Sequence, residues 1–212
     1  MPTTDGAARR ARLAGLYALV KAPEEARAAV AGGARVVQVR IKGAPAGEIL
    51  DAARRIVGLA RDRALVIVND RADLALLSGA DGVHLGDEDL PVPEARRLLG
   101  PDRLVGRTCR TLEEARAAIR EGADHVGFGP IFASRTKPLG IPVRGLDALR
   151  EVAGALGAPV VAISGIDLSN VAEVARAGAA CAAVVDAIFG AGDPAANAAR
   201  LAAAFEAGRS RP

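Results

Sequence analysis

The stretch Ala72-Asp73-Leu74-Ala75-Leu76-Leu77-Ser78-Gly79-Ala80-Asp81-Gly82-Val83-His84-Leu85 runs from a helix-spaced apolar segment through a Gly-Ala pair into a short β-rich segment. Glycine there ends a helix in the left-handed conformation, and the small alanine lets the chain turn tightly into the next strand. The pair recurs at Gly33-Ala34, Gly122-Ala123, Gly157-Ala158 and Gly178-Ala179, each time just ahead of a Val/Ile/Leu-rich run. That recurrence is the signature of a repeated strand–helix unit.

Working outward, strands are expected over Ala14–Val20, Val36–Ile41, Leu65–Val68, Gly82–Leu85, Arg103–Gly106, His125–Gly127, Val160–Ile163 and Ala182–Val185. Helices are expected over Glu24–Ala31, Gly47–Asp62, Ala72–Ser78, Val92–Leu99, Leu112–Glu121, Gly145–Leu156, Leu168–Ala177 and Pro194–Glu206. Strictly alternating units predict a parallel sheet, and this many close most naturally into a (β/α)₈ TIM barrel; an open doubly wound sheet is the alternative. No Gly-x-Gly-x-x-Gly follows the first strand, which favours the barrel. The whole chain, residues 1–212, reads as a single α/β domain, with residues 1–12 a flexible N-terminal extension.

Composition narrows the function classes. Lys and Arg number 28 against 25 Asp and Glu, and half of the 212 residues are hydrophobic, the balance of a globular chain rather than a disordered one. The apolar stretches around Val152 to Ile163 and Ala177 to Ala191 are interrupted by Gly, Pro or Asp, so no membrane span is expected. Arg9, Arg10 and Arg12 are followed by a strand-like run rather than a signal core, which points to the cytoplasm. Basic residues are scattered among acidic ones, and four Phe, one Tyr and no Trp leave few stacking platforms, so nucleic acid is not the expected partner. A small anionic ligand is. Cys109 and Cys181 are too few and too far apart for a disulfide framework, and with His84 and His125 they make no zinc spacing. Both cysteines and both histidines read as buried structural residues.

In a barrel the chemistry lies at the carboxyl ends of the strands. Along Val36-Val37-Gln38-Val39-Arg40-Ile41-Lys42 the polar residues Gln38, Arg40 and Lys42 share one side, which must face the barrel interior and its mouth because the apolar side meets the helices. The competing reading is a solvated edge strand. Asp70 and Asp89 follow the ends of adjacent strands, near enough to share a hard cation such as Mg²⁺. Each has an equally weighted alternative as a helix cap. The loop Gly127-Phe128-Gly129-Pro130-Ile131-Phe132-Ala133-Ser134-Arg135-Thr136-Lys137 combines glycines, hydroxyls and cations in a way that suits an anion. Ser164 and Gly165, after the seventh strand, suit a phosphate site; Asp186, after the eighth, carries the wrong charge for one.

Five strings, in order, carry a resemblance over nearly the full chain: Gln38-Val39-Arg40-Ile41-Lys42; Val68-Asn69-Asp70-Arg71-Ala72-Asp73-Leu74-Ala75-Leu76; Ala80-Asp81-Gly82-Val83-His84-Leu85-Gly86-Asp87-Glu88-Asp89-Leu90; Gly122-Ala123-Asp124-His125-Val126-Gly127-Phe128-Gly129-Pro130-Ile131-Phe132; and Pro159-Val160-Val161-Ala162-Ile163-Ser164-Gly165-Ile166. The chain resembles the thiamin phosphate synthase family. The resemblance implies a Mg²⁺-dependent condensation of hydroxymethylpyrimidine diphosphate with thiazole phosphate, giving thiamin phosphate and pyrophosphate. It implies Arg40, Lys42 and Lys137 as catalytic cations, Arg40, Lys42, Asn69 and Lys137 as pyrophosphate contacts, and Gln38 near the pyrimidine. Asp70 and Asp89 resemble the Mg²⁺ carboxylates, and Thr136, Gly165 and the backbone near Val185 the thiazole-phosphate side. Thr108, Ser134 and Asp186 fall at further substrate-binding positions, where a serine, a threonine and a serine are usual. Arg110 stands where a histidine is usual and Ser164 where a glycine is. The segment Pro142-Val143-Arg144-Gly145-Leu146 is more like the thiazole tautomerase branch, so an isomerase of the same family is the first alternative. A non-catalytic sensor of phosphorylated ligands is the second. The implied partners are small phosphorylated molecules, and the resemblance leaves room for a homo-oligomer.

Overall fold

In the computed structural model, which describes residues 4–133 and 140–210, eight parallel strands close on themselves in sequence order. They are β1 (Gly15–Val20), β2 (Val36–Val39), β3 (Leu65–Asn69), β4 (Gly82–Leu85), β5 (Leu104–Cys109), β6 (His125–Phe128), β7 (Val160–Ala162) and β8 (Cys181–Val184). Closure is completed by β8 pairing with β1, Gly15 opposite Cys181 and Ala18 opposite Val184. Around them run α1 (Thr4–Ala11), α2 (Pro23–Ala31), α3 (Ala46–Ala60), α4 (Ala72–Ser78), α5 (Val92–Leu99), α6 (Leu112–Arg120), α7 (Gly145–Leu156), α8 (Val171–Arg176), α9 (Asp186–Phe189) and α10 (Pro194–Arg209). The fold is the (β/α)₈ barrel that the alternation predicts, and none of the described helices is long and apolar enough to cross a membrane.

The Gly-Ala pairs do what their chemistry requires. At the end of α4, Gly79 takes φ +74° and donates to the Leu76 carbonyl, while Ala80 donates back to Ala75. The same two bonds recur at Gly33-Ala34, Gly122-Ala123 and Gly178-Ala179. Two of these pairs are followed by an aspartate that locks the next strand in place. Asp81 donates its N–H to the Val66 carbonyl and accepts from the Val66 N–H on its carboxylate, both at 2.8 Å. Asp124 does the same with Val105, at 2.7 and 2.8 Å.

Two apolar zones result. Inside the barrel, Leu13, Tyr17, Val36, Leu65, Ile67, Leu104, Val161 and Cys181 pack together. Between strands and helices lies the larger shell, in which the strands contribute their alternate residues, such as Val37, Val66, Val83, Val105 and Val126.

The structure departs from the sequence reading at several elements. Residues 4–11 form helix α1 rather than a flexible extension: Arg9 pairs with Asp81 at 3.1 Å, and Arg10 pairs with Asp124, so the helix is fastened under the amino ends of the strands. β2 stops at Val39, leaving Arg40 and Lys42 exposed beyond it, whereas β5 runs on to Cys109 and takes in Thr108. α8 starts at Val171 rather than Leu168, because the side chains of Asp167 and Asn170 engage nearby backbone: the Asp167 N–H donates to Asn170 Oδ1 at 3.0 Å and the Ser169 N–H to Asp167 Oδ1 at 2.9 Å. A short helix, α9, begins at Asp186.

Asp124 is 6% exposed in its side chain and holds Arg10, Arg96 and the Val105 N–H at once. Its removal strands two cations and a backbone donor, so Asp124→Ala should cost about 3 kcal/mol in urea unfolding. Asp81→Ala, at a more open site with one cation, should cost about 1 kcal/mol. Equal losses for the two variants would show that the charge cluster around Asp124 adds nothing to the backbone clasp.

Candidate active site

All described candidate residues collect at the carboxyl end of the barrel. Arg40 and Lys42 follow β2, Asn69 ends β3, Asp70 follows it, Asp89 lies in the loop after β4, and Thr108 sits near the end of β5. Ser164 and Gly165 follow β7, and Val185 and Asp186 follow β8. Ser134, Thr136 and Lys137 lie outside the described residues.

Asp70 is held in an uncommon conformation for a residue with a side chain, at φ +65°, with its N–H donating to the His84 carbonyl at 2.8 Å. The turn directs its carboxylate to Lys42, which donates to Asp70 Oδ2 across the gap between the β2 and β3 ends. The Asp89 carboxylate is fixed by the Gly86 N–H at 2.6 Å and lies within hydrogen-bond reach of Asp70. Partial burial pushes the Asp89 carboxyl above the ordinary carboxylate range, and the Asp70 carboxylate beside it adds to the shift, while the Gly86 N–H and Lys42 oppose it. Neither aspartate is a helix cap: Arg71 precedes α4 and Pro91 precedes α5, with no side-chain cap bond at either. Two hard oxygen donors in mutual contact, one of them resisting ionisation, fit a divalent cation such as Mg²⁺, which takes few protein carboxylates and keeps several waters. Among the described residues no third His, Cys, Asp or Glu completes a larger metal-binding group.

Gln38 points into the barrel, as the alternation predicts, and is 4% exposed. Its Nε2 donates to the Tyr17 hydroxyl at 2.8 Å. Burial raises the Tyr17 phenol well above its ordinary value, so that hydroxyl remains neutral. His84 is also interior, with Nε2 at 3.0 Å from the Thr108 hydroxyl. Burial lowers His84 to about 4 and His125 to about 3, so both imidazoles are neutral near pH 7. Cys109 and Cys181 are buried free thiols pushed up to about 12, mainly by burial, which suits neither nucleophile nor thiolate ligand.

Sequence reasoning missed the neighbouring charge group. Arg107 donates to the Gly86 carbonyl and reaches Asp87 at 3.3 Å, and Arg110 pairs with the same Asp87. These contacts brace the loop that carries Asp89, and the acidic run Asp87-Glu88-Asp89 opposite two arginines was the available signal. Arg110 is thereby committed to Asp87. Asp186 is exposed at the first turn of α9.

The stems of the long loop after β6 are tied down. Ile131 and Phe132 donate to the Ile163 and Ser164 carbonyls at 2.9 and 3.3 Å, and Arg144 donates to Pro130 at 2.7 Å. Gly165, at φ +68°, passes so close that a Cβ there would lie 2.6 Å from the Ala133 carbonyl oxygen. Thus the loop after β6 and the loop after β7 share one wall.

The thiamine monophosphate synthase family model matches residues 17–188. The chain is 70% identical to the thiamine-phosphate synthase of Anaeromyxobacter dehalogenans, covering 99% of this chain and 97% of that one. It is 53% identical to the thiamine-phosphate synthase of Myxococcus xanthus, over 88% of this chain and 86% of that one. Among solved structures, thiamine phosphate pyrophosphorylase from Pyrococcus furiosus superposes with a TM-score of 0.85 at 35% identity, covering 93% of this chain and 98% of that chain.

The raised Asp89 carboxyl has a stability consequence. A carboxyl whose folded value exceeds its unfolded value costs stability as pH rises from the ordinary carboxylate range through the raised value. In chelator at neutral pH, Asp89→Asn should therefore raise the urea midpoint. A variant that is less stable than the parent in chelator would contradict this account of burial reinforced by a like charge.

Proposed function

The chain belongs to the thiamine monophosphate synthase family, and on that premise we propose that it is a transferase joining hydroxymethylpyrimidine diphosphate to thiazole phosphate, with release of pyrophosphate. The observation that carries this reading is the meeting of Lys42, Asp70 and Asp89 at the ends of adjacent strands, with Asn69 and Arg40 beside them.

The reaction breaks the bond between the pyrimidine methylene and the diphosphate oxygen, and the electron pair leaves with pyrophosphate. The thiazole ring nitrogen supplies the pair for the new carbon–nitrogen bond. No proton need change hands in that exchange, so the demand on the protein is charge placed where the leaving group gains it. Mg²⁺ held by Asp70 and Asp89 would supply part of that charge. Arg40 and Lys42, exposed at the mouth, bind the diphosphate oxygens, with Lys137 as a third cation. Lys42 also steadies Asp70, because its contact holds that carboxylate when no cation is bound. Gln38, fixed by Tyr17, orients the pyrimidine from below. Asn69 and the Thr108 hydroxyl donate to the diphosphate.

The thiazole phosphate docks on the far side of the mouth, on the backbone of Gly165 and Val185, with the hydroxyls of Ser134 and Thr136 as further donors by residue type. Asp186 is exposed at the start of α9, and the reading assigns the phosphate contact there to the backbone rather than to its carboxylate.

Pyrophosphate release should require both substrates together and Mg²⁺. Chelator should abolish it, and added Mg²⁺ should restore it. Arg40→Ala should lower kcat about 100-fold while leaving thiazole phosphate binding near its parent value, since a charge-assisted contact is lost on one side only. Turnover that survives chelator, or equal weakening of both ligands, would overturn this division of the mouth.

A further inference from the structure

Beneath the mouth, β4, β5 and β6 bring His84, Gly106 and His125 side by side: His84 is in register with Gly106, and Gly106 with His125. The glycine is what admits two imidazoles. A Cβ at Gly106 would lie 2.2 Å from His125 Nε2 and 2.6 Å from His84 Nδ1, so both nitrogens press on the same face of one residue. They can be no farther apart than those two distances together, and the ring centres are 5.6 Å apart. Both side chains are buried, His125 completely. Among the described residues, His84 Nδ1 and both nitrogens of His125 have no hydrogen-bond partner, whereas His84 Nε2 has Thr108 Oγ1 at 3.0 Å.

An imidazole that stays neutral has one N–H and one bare nitrogen. A bare His84 Nδ1 buried without a donor is costly, and the nearest imidazole nitrogen across Gly106 belongs to His125. If His84 carried its proton on Nδ1, its Nε2 would have to accept from Thr108, and the hydroxyl would have no hydrogen left for a substrate.

We propose that His125 is a positioning residue that fixes the polarity of a hydrogen-bond relay: His125 Nε2–H donates to His84 Nδ1, with or without one enclosed water between them, His84 Nε2–H donates to Thr108 Oγ1, and the Thr108 hydroxyl hydrogen is left to donate upward into the mouth. Every dipole in the relay then points toward the place where negative charge develops on the departing pyrophosphate. Complete burial keeps the His125 ring neutral, as the relay requires. The relay rests on the synthase reading only for what the Thr108 hydroxyl meets.

The chain has just two histidines, so ¹⁵N-histidine labelling of the full protein gives a spectrum with two imidazoles. Long-range proton–nitrogen correlations near pH 7.5, a value chosen to keep both rings neutral, should show the Nε2–H form for both. An Nδ1–H form for either ring overturns the relay, whatever the enzyme's activity. His125→Phe keeps a ring and removes the donor. It should lower kcat for pyrophosphate release about tenfold with the KM for thiazole phosphate unchanged, and move His84 away from a single tautomer. His125→Gln, which keeps an N–H donor, should recover most of the loss. An unchanged kcat in His125→Phe, or a Gln variant no better than Phe, overturns the role; should the Phe variant fail to fold, the parent spectrum and the Gln variant decide. Failure of the synthase reading looks different: the parent protein would release no pyrophosphate while both rings kept the Nε2–H form.

Discussion

Closing parallel strands into a barrel leaves no sheet edge, but it also leaves an interior only wide enough to be filled by side chains, and every strand must begin where the previous helix stops. The aspartate clasps meet that last demand. Asp81 and Asp124, each just after a helix stop made by Gly79 or Gly122, hold Val66 and Val105, the second residues of β3 and β5, through both N–H and carboxylate. Strand starts are thus fixed at the amino end, and the carboxyl ends, where β2, β3 and β4 present Lys42, Asp70 and Asp89, inherit a defined height and register. The arginines of α1 and α5 neutralise these aspartates at the opposite end from the chemistry, so stability and function draw on different charges.

How much of this was legible depends on whether the information was local. The Gly-Ala stops and the strand alternation lie within a few residues, and they gave the barrel and nearly all of its elements. Helix α1 was missed because its reason for being ordered is far away in the chain: Arg9 and Asp81 are 72 residues apart, and Arg10 and Asp124 are 114 apart. An arginine-rich segment carries no local sign that its cations are already spoken for. The late start of α8 has a local cause instead, since the side chain–backbone bonds of Asp167 and Asn170 compete with the periodic pattern.

The candidate site was half legible for a related reason. Asp70 and Asp89 could each have capped a helix, and spacing alone weighted that equally; the loop geometry brings their carboxylates together instead. Gln38 was correctly placed inside because strand alternation is a geometric rule, whereas the bracing of Asp87 by Arg107 and Arg110 depends on a loop whose course no periodicity describes. His84 and His125 read as inert core residues one at a time. Only the register across β4, β5 and β6, with a glycine between them, shows that they form a pair.

The places where the structure breaks ordinary rules are unevenly distributed. Of the described non-glycine residues at positive φ, Asp62 lies just past the end of α3, where a left-handed residue is an unremarkable way to leave a helix. The other two, Asp70 and Ser164, both sit at the carboxyl ends of strands. Asp70 combines that strain with a like-charged neighbour, and the two costs reinforce each other, because relaxing the turn would also carry the carboxylate away from Asp89. A site selected for stability alone would have neither. Unfavourable backbone and unfavourable charge meet at the rim of the mouth, where strain of this kind is the mark of a site shaped for something other than stability.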